Sequence, residues 1–568
     1  KTMSKKLNIA LAIFSVAALS SCSKMGPLSA DNFTVTPSPL EAQAGKVDVT
    51  INGRFPEKYM KRKAVVTVTP VLKYAGQTTE GQSATFQGEK VEGNNQTISY
   101  KVGGNYTMKN SFKYVPDMQK SELYLTFDAK KGKKTVKIPE VKIADGVLAT
   151  SELLKRTLAS ANPAVAPDAF EHVIAQKQEA SINFLIQQAK IRNSELKKTS
   201  VQEFVETLRD IKADQKRKEL NNVEISAYAS PDGGVELNDK LAAKRESTTR
   251  DYVDNVLKKQ EIDTHVDAKY TAQDWEGFQQ LVSASNIQDK EVILRVLSMY
   301  KDPEQREQQI KNISSAFREL ADEILPQLRR SRLTINYELI GRSDAEIQEQ
   351  FKSDASQLSV EELIYATTLT ENQSEQEAIL KKTTELYPND YRAYNNLAAI
   401  AYSKGDLNAA KSYLTKANSV KSNNPESNVN LGMIALCNGN VEEAENYMAK
   451  GNGASNYNEA LGNLQIAKGN YAQANSYFKG INSNSAALAQ ILSKDYNSAN
   501  KTLSQVANPD ATTSYLKAIV AARTNDKASA LSNLKDAIAK DSSYAEYAAK
   551  DLEFAKFNND AEFKNIVK

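Results

Sequence analysis

From about Leu358 to its C terminus the chain repeats itself every 34 residues, and that period leaves it few folds to choose from. Tyr394, Leu397, Ala398, Gly405, Leu407, Ala410, Leu414 and Ala417 recur as Asn428, Leu431, Gly432, Gly439, Val441, Ala444, Met448 and Gly451. Apolar residues at helical spacing, interrupted by one glycine, describe two helices joined by a tight turn. A single hairpin of this kind cannot bury its apolar face, so successive copies must stack into an all-α solenoid. Small residues fall where the paired helices cross closely, and glycine ends the first helix of each pair. The register returns at Leu461, Gly462, Gly469, Tyr471, Ala474 and Phe478 after a shortened repeat. It weakens at Tyr496, Ala499 and Leu503, and is partly restored at Ala518, Ala521, Ala530, Leu534 and Ala537. Leu363 to Pro388 reads as a divergent first repeat, and Asp541 onward, with Tyr544, Tyr547, Leu552 and Phe554, as a capping segment.

This pattern resembles the tetratricopeptide repeat, with the array expected over residues 355–568. The resemblance implies a broad surface for protein partners, here proteins of a cell envelope. The Tyr/Asn-rich texture at Tyr391, Tyr394, Asn395, Asn396 and Tyr402 is expected to line a concave groove for an extended peptide, with Tyr394 serving helix packing instead. The plainer alternative is an array acting only as a spacer. Cys437, inside a first helix, reads as a small apolar core residue.

The other end of the chain reads as a leader, residues 1–21. Lys5 and Lys6 give a basic start, and Leu7 to Ala18 is an apolar run too short to span a bilayer. It closes on Leu19-Ser20-Ser21-Cys22, which resembles the lipobox of bacterial lipoproteins of the Bacteroidota type. That resemblance implies lipidation at Cys22 and anchoring to the outer membrane through acyl chains. The acidic run that marks surface display in such lipoproteins is missing from Ser23-Lys24-Met25-Gly26-Pro27, so the periplasmic side is expected. An ordinary secretory signal with an incidental cysteine is the bland alternative.

Residues 22–150 read as an all-β domain. Phe33-Val35, Val47-Val49-Ile51, Val65-Val66-Val68, Ile98-Tyr100-Val102, Leu123-Leu125-Phe127 and Val136-Ile138 alternate with polar residues, between turns such as Asn52-Gly53, Gly103-Gly104 and Lys131-Gly132. Six or seven short strands suggest an immunoglobulin-like sandwich. Lys61-Arg62-Lys63 and Lys130 to Lys134 are basic clusters, read as solvated turns and edge protection, with an acidic lipid or glycan partner as the alternative. Residues 151–174, with Pro163 and Pro167 among small residues, read as a linker.

Residues 175–342 alternate strand and helix, an α+β order. Ser200 and Glu203 suggest a capping box opening a helix with Val201, Phe204, Val205, Leu208 and Ile211 on one face. Strands are expected at Ala180–Phe184, Val223–Tyr228, Val266–Tyr270 and Leu333–Tyr337, with a helical insert carrying Trp275, Phe278, Leu281 and Val282. The run Tyr228-Ala229-Ser230-Pro231-Asp232-Gly233, followed by Asn238, Leu241 and Arg245, resembles the OmpA C-terminal family of peptidoglycan-associating domains. There an aspartate and an arginine clamp the amino and carboxylate ends of a diaminopimelate side chain. By that resemblance Arg245, Asn238, Asp232 and Ser230 are the candidate peptidoglycan-binding residues. Arg245 keeps the bidentate carboxylate half. Ser230 stands where the family has its aspartate, and Asp232 lies two residues on. In the bland reading Arg245 pairs with Glu246 or Asp239, and the module serves structure or a protein contact.

Little else in the sequence carries chemistry. Lysine plus arginine (73) nearly balances aspartate plus glutamate (70), which gives no push towards nucleic acid. Two cysteines, one assigned to lipid, leave no disulfide, and His172 and His265 are too few for a His/Cys metal site. No phosphate loop, nucleophile elbow or zinc-protease motif is present. The expectation is a lipid-anchored periplasmic scaffold recruiting envelope proteins, without catalytic residues, cofactor or metal. A cell-wall tether acting through Arg245 is the alternative.

Overall fold

The computed structural model describes residues 25–312 and 314–568, so Cys22 and the leader lie outside the described residues. The chain forms two compact units. One joins the residues up to Pro167 with Thr370–Lys568, and the other is Asp168–Leu369. The second unit is thus inserted, in sequence, between the β region and the repeats.

In the first unit, alternation of apolar and polar residues builds two sheets over one core. Lys46–Phe55 pairs with Phe33–Thr36 on one side and Gly104–Lys113 on the other. Ala64–Tyr74 and Ser121–Lys131 form the spine of the second sheet. Val47, Val49 and Ile51 from the first sheet share a core with Val66, Val68, Leu123 and Leu125 from the second. Eleven strands occur here among the described residues, against the six or seven expected, because short pieces such as Ala42–Gln43 and Gln77–Glu80 lack an alternating apolar pattern. Tyr100 and Val102, read as strand, lie in the turn Ser99–Gly103, and Asn52-Gly53, read as a turn, lies within Lys46–Phe55.

The repeats are helix pairs: Tyr391–Ser403 with Leu407–Val420, Pro425–Cys437 with Val441–Met448, Tyr457–Ala467 with Tyr471–Tyr477, Asn484–Leu492 with Tyr496–Ser504, and Ala511–Arg523 with Lys527–Lys540. Each turn uses the same device. Gly405 (φ 78°), Gly439 (φ 77°) and Gly469 (φ 77°) are left-handed, and Asp406, Asn440 or Asn470 follows at the N-cap position of the second helix, where the Asp406 carboxylate accepts from the Ala409 N–H. Lys494 (φ 64°) and Asn525 (φ 62°) take the same conformation in the last two pairs, which is why the motif fades there. Gly462 marks a close crossing, since a Cβ would lie 2.6 Å from the Phe478 ring. The array opens with Gln373–Leu386, while Val360–Ala366 falls in the other unit; the stretch read as one divergent repeat is divided between them. Tyr515, Tyr544 and Phe554 form the aromatic core of the C-terminal cap.

The inserted unit is a four-stranded sheet in the order Val173–Asn183, Arg330–Ile340, Lys218–Tyr228, Val266–Thr271. Its last pair is parallel and the others antiparallel. Thr199–Ala213 and Val235–Lys259 pack on it through Val201, Phe204, Leu208, Val253 and Leu257. The first of these helices begins at Thr199 after Lys198, which makes no side-chain cap, so the Ser200/Glu203 capping box does not form. Between the parallel strand and the final one, a helical insert has its own small core around Phe278, Ile293 and Leu328.

Candidate functional sites

The segment read as a linker, 151–174, is in large part not a linker. Leu154–Ala159 is a helix whose Leu154 and Leu158 are buried in the core of the array. From Ser160 the chain runs extended through the array to Pro167, held mostly by asparagine side chains on its main chain. The Tyr402 hydroxyl donates to the Leu158 carbonyl (2.7 Å), and Asn456 Nδ2 donates to the Asn162 carbonyl (2.8 Å). Ala164 is gripped at both ends. Its N–H donates to Asn430 Oδ1 (2.7 Å), and its carbonyl accepts from Asn430 Nδ2 (2.8 Å) and Asn395 Nδ2 (3.0 Å). Asn396 makes the same two-point clamp on Ala166, at 2.8 and 3.0 Å. A carboxamide carries one donor and one acceptor side by side, so it pairs with a main-chain amide as a neighbouring strand would.

The asparagines are themselves fixed. Asn395 Oδ1 accepts from Ser427 Oγ (3.1 Å) and Asn430 Nδ2 (3.2 Å). Ala164 and Ala166 are fully buried, while Val165 between them faces solvent. Larger side chains at the two alanines would collide with the array, which explains the small-residue composition. Proline at 163 and 167 forfeits only N–H groups that the array does not use. The segment runs against the array, from Ser485 near Thr157 to Asn396 at Ala166. The Asn/Tyr texture thus lines a groove for an extended strand, as expected, and the chain itself supplies that strand. Cys437 sits at its edge, half-buried, with its Sγ 3.6 Å from the Tyr402 hydroxyl.

The same segment ties the sandwich to the array. Ser151 Oγ donates to the Ala42 carbonyl (2.7 Å), and Gln43 Nε2 donates to the Gly469 carbonyl (2.9 Å). Thr150 donates to Glu553, which also accepts from Arg523 Nε (2.9 Å) and Nη2 (2.6 Å). Arg156 lies 4.1 Å from the centre of the Tyr544 ring. Beside this junction Asp551 is buried and accepts from the Tyr515 hydroxyl (2.7 Å). Burial, then the nearby Glu553 carboxylate, push its carboxyl up to about 7. A carboxyl raised on folding holds its proton in the native state while the unfolded chain has released it. Its stabilising effect is therefore full below the ordinary aspartate range and is lost as pH rises through about 7. Thermal melts should show the first unit losing stability from pH 5 to 8, and Asp551→Asn should flatten that slope; an unchanged slope would exclude Asp551 as its source.

In the inserted unit the four candidate residues come together where Lys218–Tyr228 ends and Val235–Lys259 begins. Asn238 Nδ2 donates to the Ser230 (2.8 Å) and Gly233 (3.0 Å) carbonyls and so shapes the turn. Ser230 donates to Asp232, and Asp232 pairs with Arg329 (3.3 Å). Arg245 is fully buried and pairs with neither Glu246 nor Asp239. Its Nε, Nη1 and Nη2 donate to the carbonyls of Gln188 (3.0 Å), Tyr228 (2.9 Å) and Leu185 (3.3 Å), with the Phe184 ring centre 5.1 Å away. Burial, then the Arg329 charge, lower its pKa to about 10, against the pull of Asp232, and it stays charged at neutral pH. Arg329 is the member that motif spacing could not supply, since it arrives from the bend just before the strand Arg330–Ile340, about a hundred residues on. In the sequence Arg329 stands out only as one of two adjacent arginines, Arg329-Arg330.

No family model and no curated protein match the chain. Solved structures do, at low overall similarity. A tetratricopeptide repeat protein from Parabacteroides merdae is 14% identical, covering 37% of this chain and 91% of its own, with a TM-score of 0.29. PilF of Pseudomonas aeruginosa is 17% identical over 39% of this chain and 98% of its own, with a TM-score of 0.25. YrrB, described as a tetratricopeptide protein with an unusual peptide-binding site, is 18% identical over 37% of this chain and its full length, with a TM-score of 0.21. At these scores the likeness adds no argument. The 34-residue period, the left-handed turn residues and the stacked hairpins define the C-terminal array as a tetratricopeptide solenoid.

Proposed function

We propose that this protein is a non-catalytic adaptor, anchored by acyl chains on Cys22 to the periplasmic face of the outer membrane, which recruits envelope proteins through its repeat unit. The immunoglobulin-like sandwich is its membrane-proximal part. The observation that carries the reading is the asparagine row of the array: polar groups arranged to hold an extended polypeptide by its main chain, with residues 157–167 already in place. A covalently attached occupant competes at a high effective concentration, so a separate peptide of ordinary affinity does not displace it. Partners therefore dock on the outer helices. Photo-crosslinkers at the exposed Lys411 and Lys535 should capture other envelope proteins, and one at the half-buried Asn456, beside Asn162 of the strand, only this chain; captures of other proteins from Asn456 alone would reverse the assignment. Fatty-acid labelling of the wild type, lost in Cys22→Ser, tests the anchor.

The second reading is the cell-wall tether, in which Asp168–Leu369 is an OmpA-like domain. It is favoured by the convergence of Ser230, Asp232, Asn238 and Arg245 at one strand end. Arg245 is fully buried on main-chain carbonyls, so it would shape the turn from behind, and recognition in this reading would fall to the partly exposed Asp232. The full chain pelleting with sacculi, and released by free diaminopimelate, would favour the tether; pelleting that diaminopimelate leaves unchanged would count against it.

A further inference from the structure

The basic clusters of the sandwich, separate in sequence, meet at one end of it. Ala64 pairs with Lys131 and Val65 with Lys130, while the Gly132 N–H donates to the Lys63 carbonyl (3.1 Å). Lys61-Arg62-Lys63 and the Lys130–Lys134 hairpin are therefore neighbours. Arg62, Lys63, Lys133 and Lys134 are exposed. The acidic residues at this end are few: Glu89 lies 3.5 Å from Arg62, Glu57 lies 3.8 Å from Lys58, and Glu92 is exposed nearby.

Two further features point the same way. The turn Ser99–Gly103 closes this end, fixed by the Lys58 N–H donating to the Tyr100 carbonyl (2.6 Å). At its tip stands Val102, 71% exposed, the most exposed large apolar side chain among the described residues, with Lys101 beside it. The chain also enters the structure here. Met25 and Leu28 are buried in the sandwich core, the Tyr59 hydroxyl donates to the Gly26 carbonyl (2.8 Å), and Phe33 pairs with Gly53 near the end of its strand. Cys22 is thus three residues from an anchored point on the basic end.

We propose that this end of the sandwich is a membrane-docking surface for anionic lipid headgroups, with the lysine and arginine side chains on the phosphates and Val102 entering the interface. An acyl anchor beside a basic patch is the two-signal arrangement that makes attachment stable, and it would fix the orientation of the unit on the bilayer. That orientation rests on the Cys22 anchor; the affinity of the basic end for lipid does not.

The test therefore uses the full chain carrying Cys22→Ser, which has no acyl chain. It should float with phosphatidylcholine vesicles containing about one-third phosphatidylglycerol at low salt, not with phosphatidylcholine alone, and be released by high salt. Combining Arg62→Ala, Lys63→Ala, Lys133→Ala and Lys134→Ala should weaken partitioning about 100-fold or more, at roughly fivefold per cation. All four side chains are exposed, so the fold is kept, and Val102→Asp should weaken binding separately. Equal binding to neutral vesicles, no binding to anionic ones, unchanged binding by the fourfold variant, or a preference for a soluble acidic glycan over vesicles would each overturn the proposal. Fatty-acid labelling of the wild type reports on the anchor independently, so the two failures are distinguishable.

Discussion

Arg245→Ala should unfold the Asp168–Leu369 unit far more readily than the wild type, at a cost of about 4 kcal/mol or more. Among the described residues Arg245 is the largest fully buried side chain, and its guanidinium holds three carbonyls from two stretches, the turn at residues 185–188 and the end of the strand at Tyr228. Removing it strands those carbonyls, at roughly 1–3 kcal/mol each, and opens a cavity beside Phe184. Arg245→Lys should recover only part of the loss, because a single ammonium cannot reproduce a planar fork reaching Gln188, Tyr228 and Leu185 together. Denaturant unfolding of the full chain, followed on the transition of this unit, measures both. A variant that kept full stability would return Arg245 to a ligand-facing role. Loss of sacculus binding in Arg245→Ala is uninformative alone, and Asp232→Asn is the cleaner probe of recognition there.

Ala164→Asp is the second large effect, expected in the other unit. It places a carboxylate where the side chain is fully buried, with asparagine clamps on either side of the backbone. An unpaired buried charge costs several kcal/mol, so the strand leaves the groove rather than bury it. Residues 157–167 should then become a site of rapid limited proteolysis, and the denaturation midpoint of the first unit should fall. Asn430→Ala is the milder version. It removes both bonds to Ala164 but leaves Asn395 on the carbonyl, for a loss of about 1–3 kcal/mol. Ala164→Asp with wild-type protease resistance would show that the strand is not held as described.

What the sequence made legible was local. Gly405-Asp406, Gly439-Asn440 and Gly469-Asn470 combine a left-handed residue with a helix cap, and both signals are readable without a fold. Lys494 and Asn525 take that conformation without glycine, so the repeat faded exactly there only to the eye, not in the backbone. The capping box failed by one residue, because the helix starts at Thr199 and leaves Ser200 inside it. The groove was visible as a texture of Asn395, Asn396 and Tyr402, but its occupant was not. Ala164 meets Asn430 across 266 residues, and a run of alanines and prolines looks the same whether it crosses solvent or fills a groove. Ser230, Asp232, Asn238 and Arg245 were found by spacing; that Arg245 turns inward to main-chain carbonyls, and that Arg329 joins Asp232, are facts of tertiary placement.

The chain's own residues 157–167 fill the repeat groove. Hydrogen–deuterium exchange of the full-length protein tests it most directly, on the Ala164 and Ala166 amides that donate to Asn430 and Asn396. Protection matching that of the array helices, reduced locally at Ala164 in Asn430→Ala, is the predicted result. Exchange of both amides at the rate of an exposed linker would contradict it.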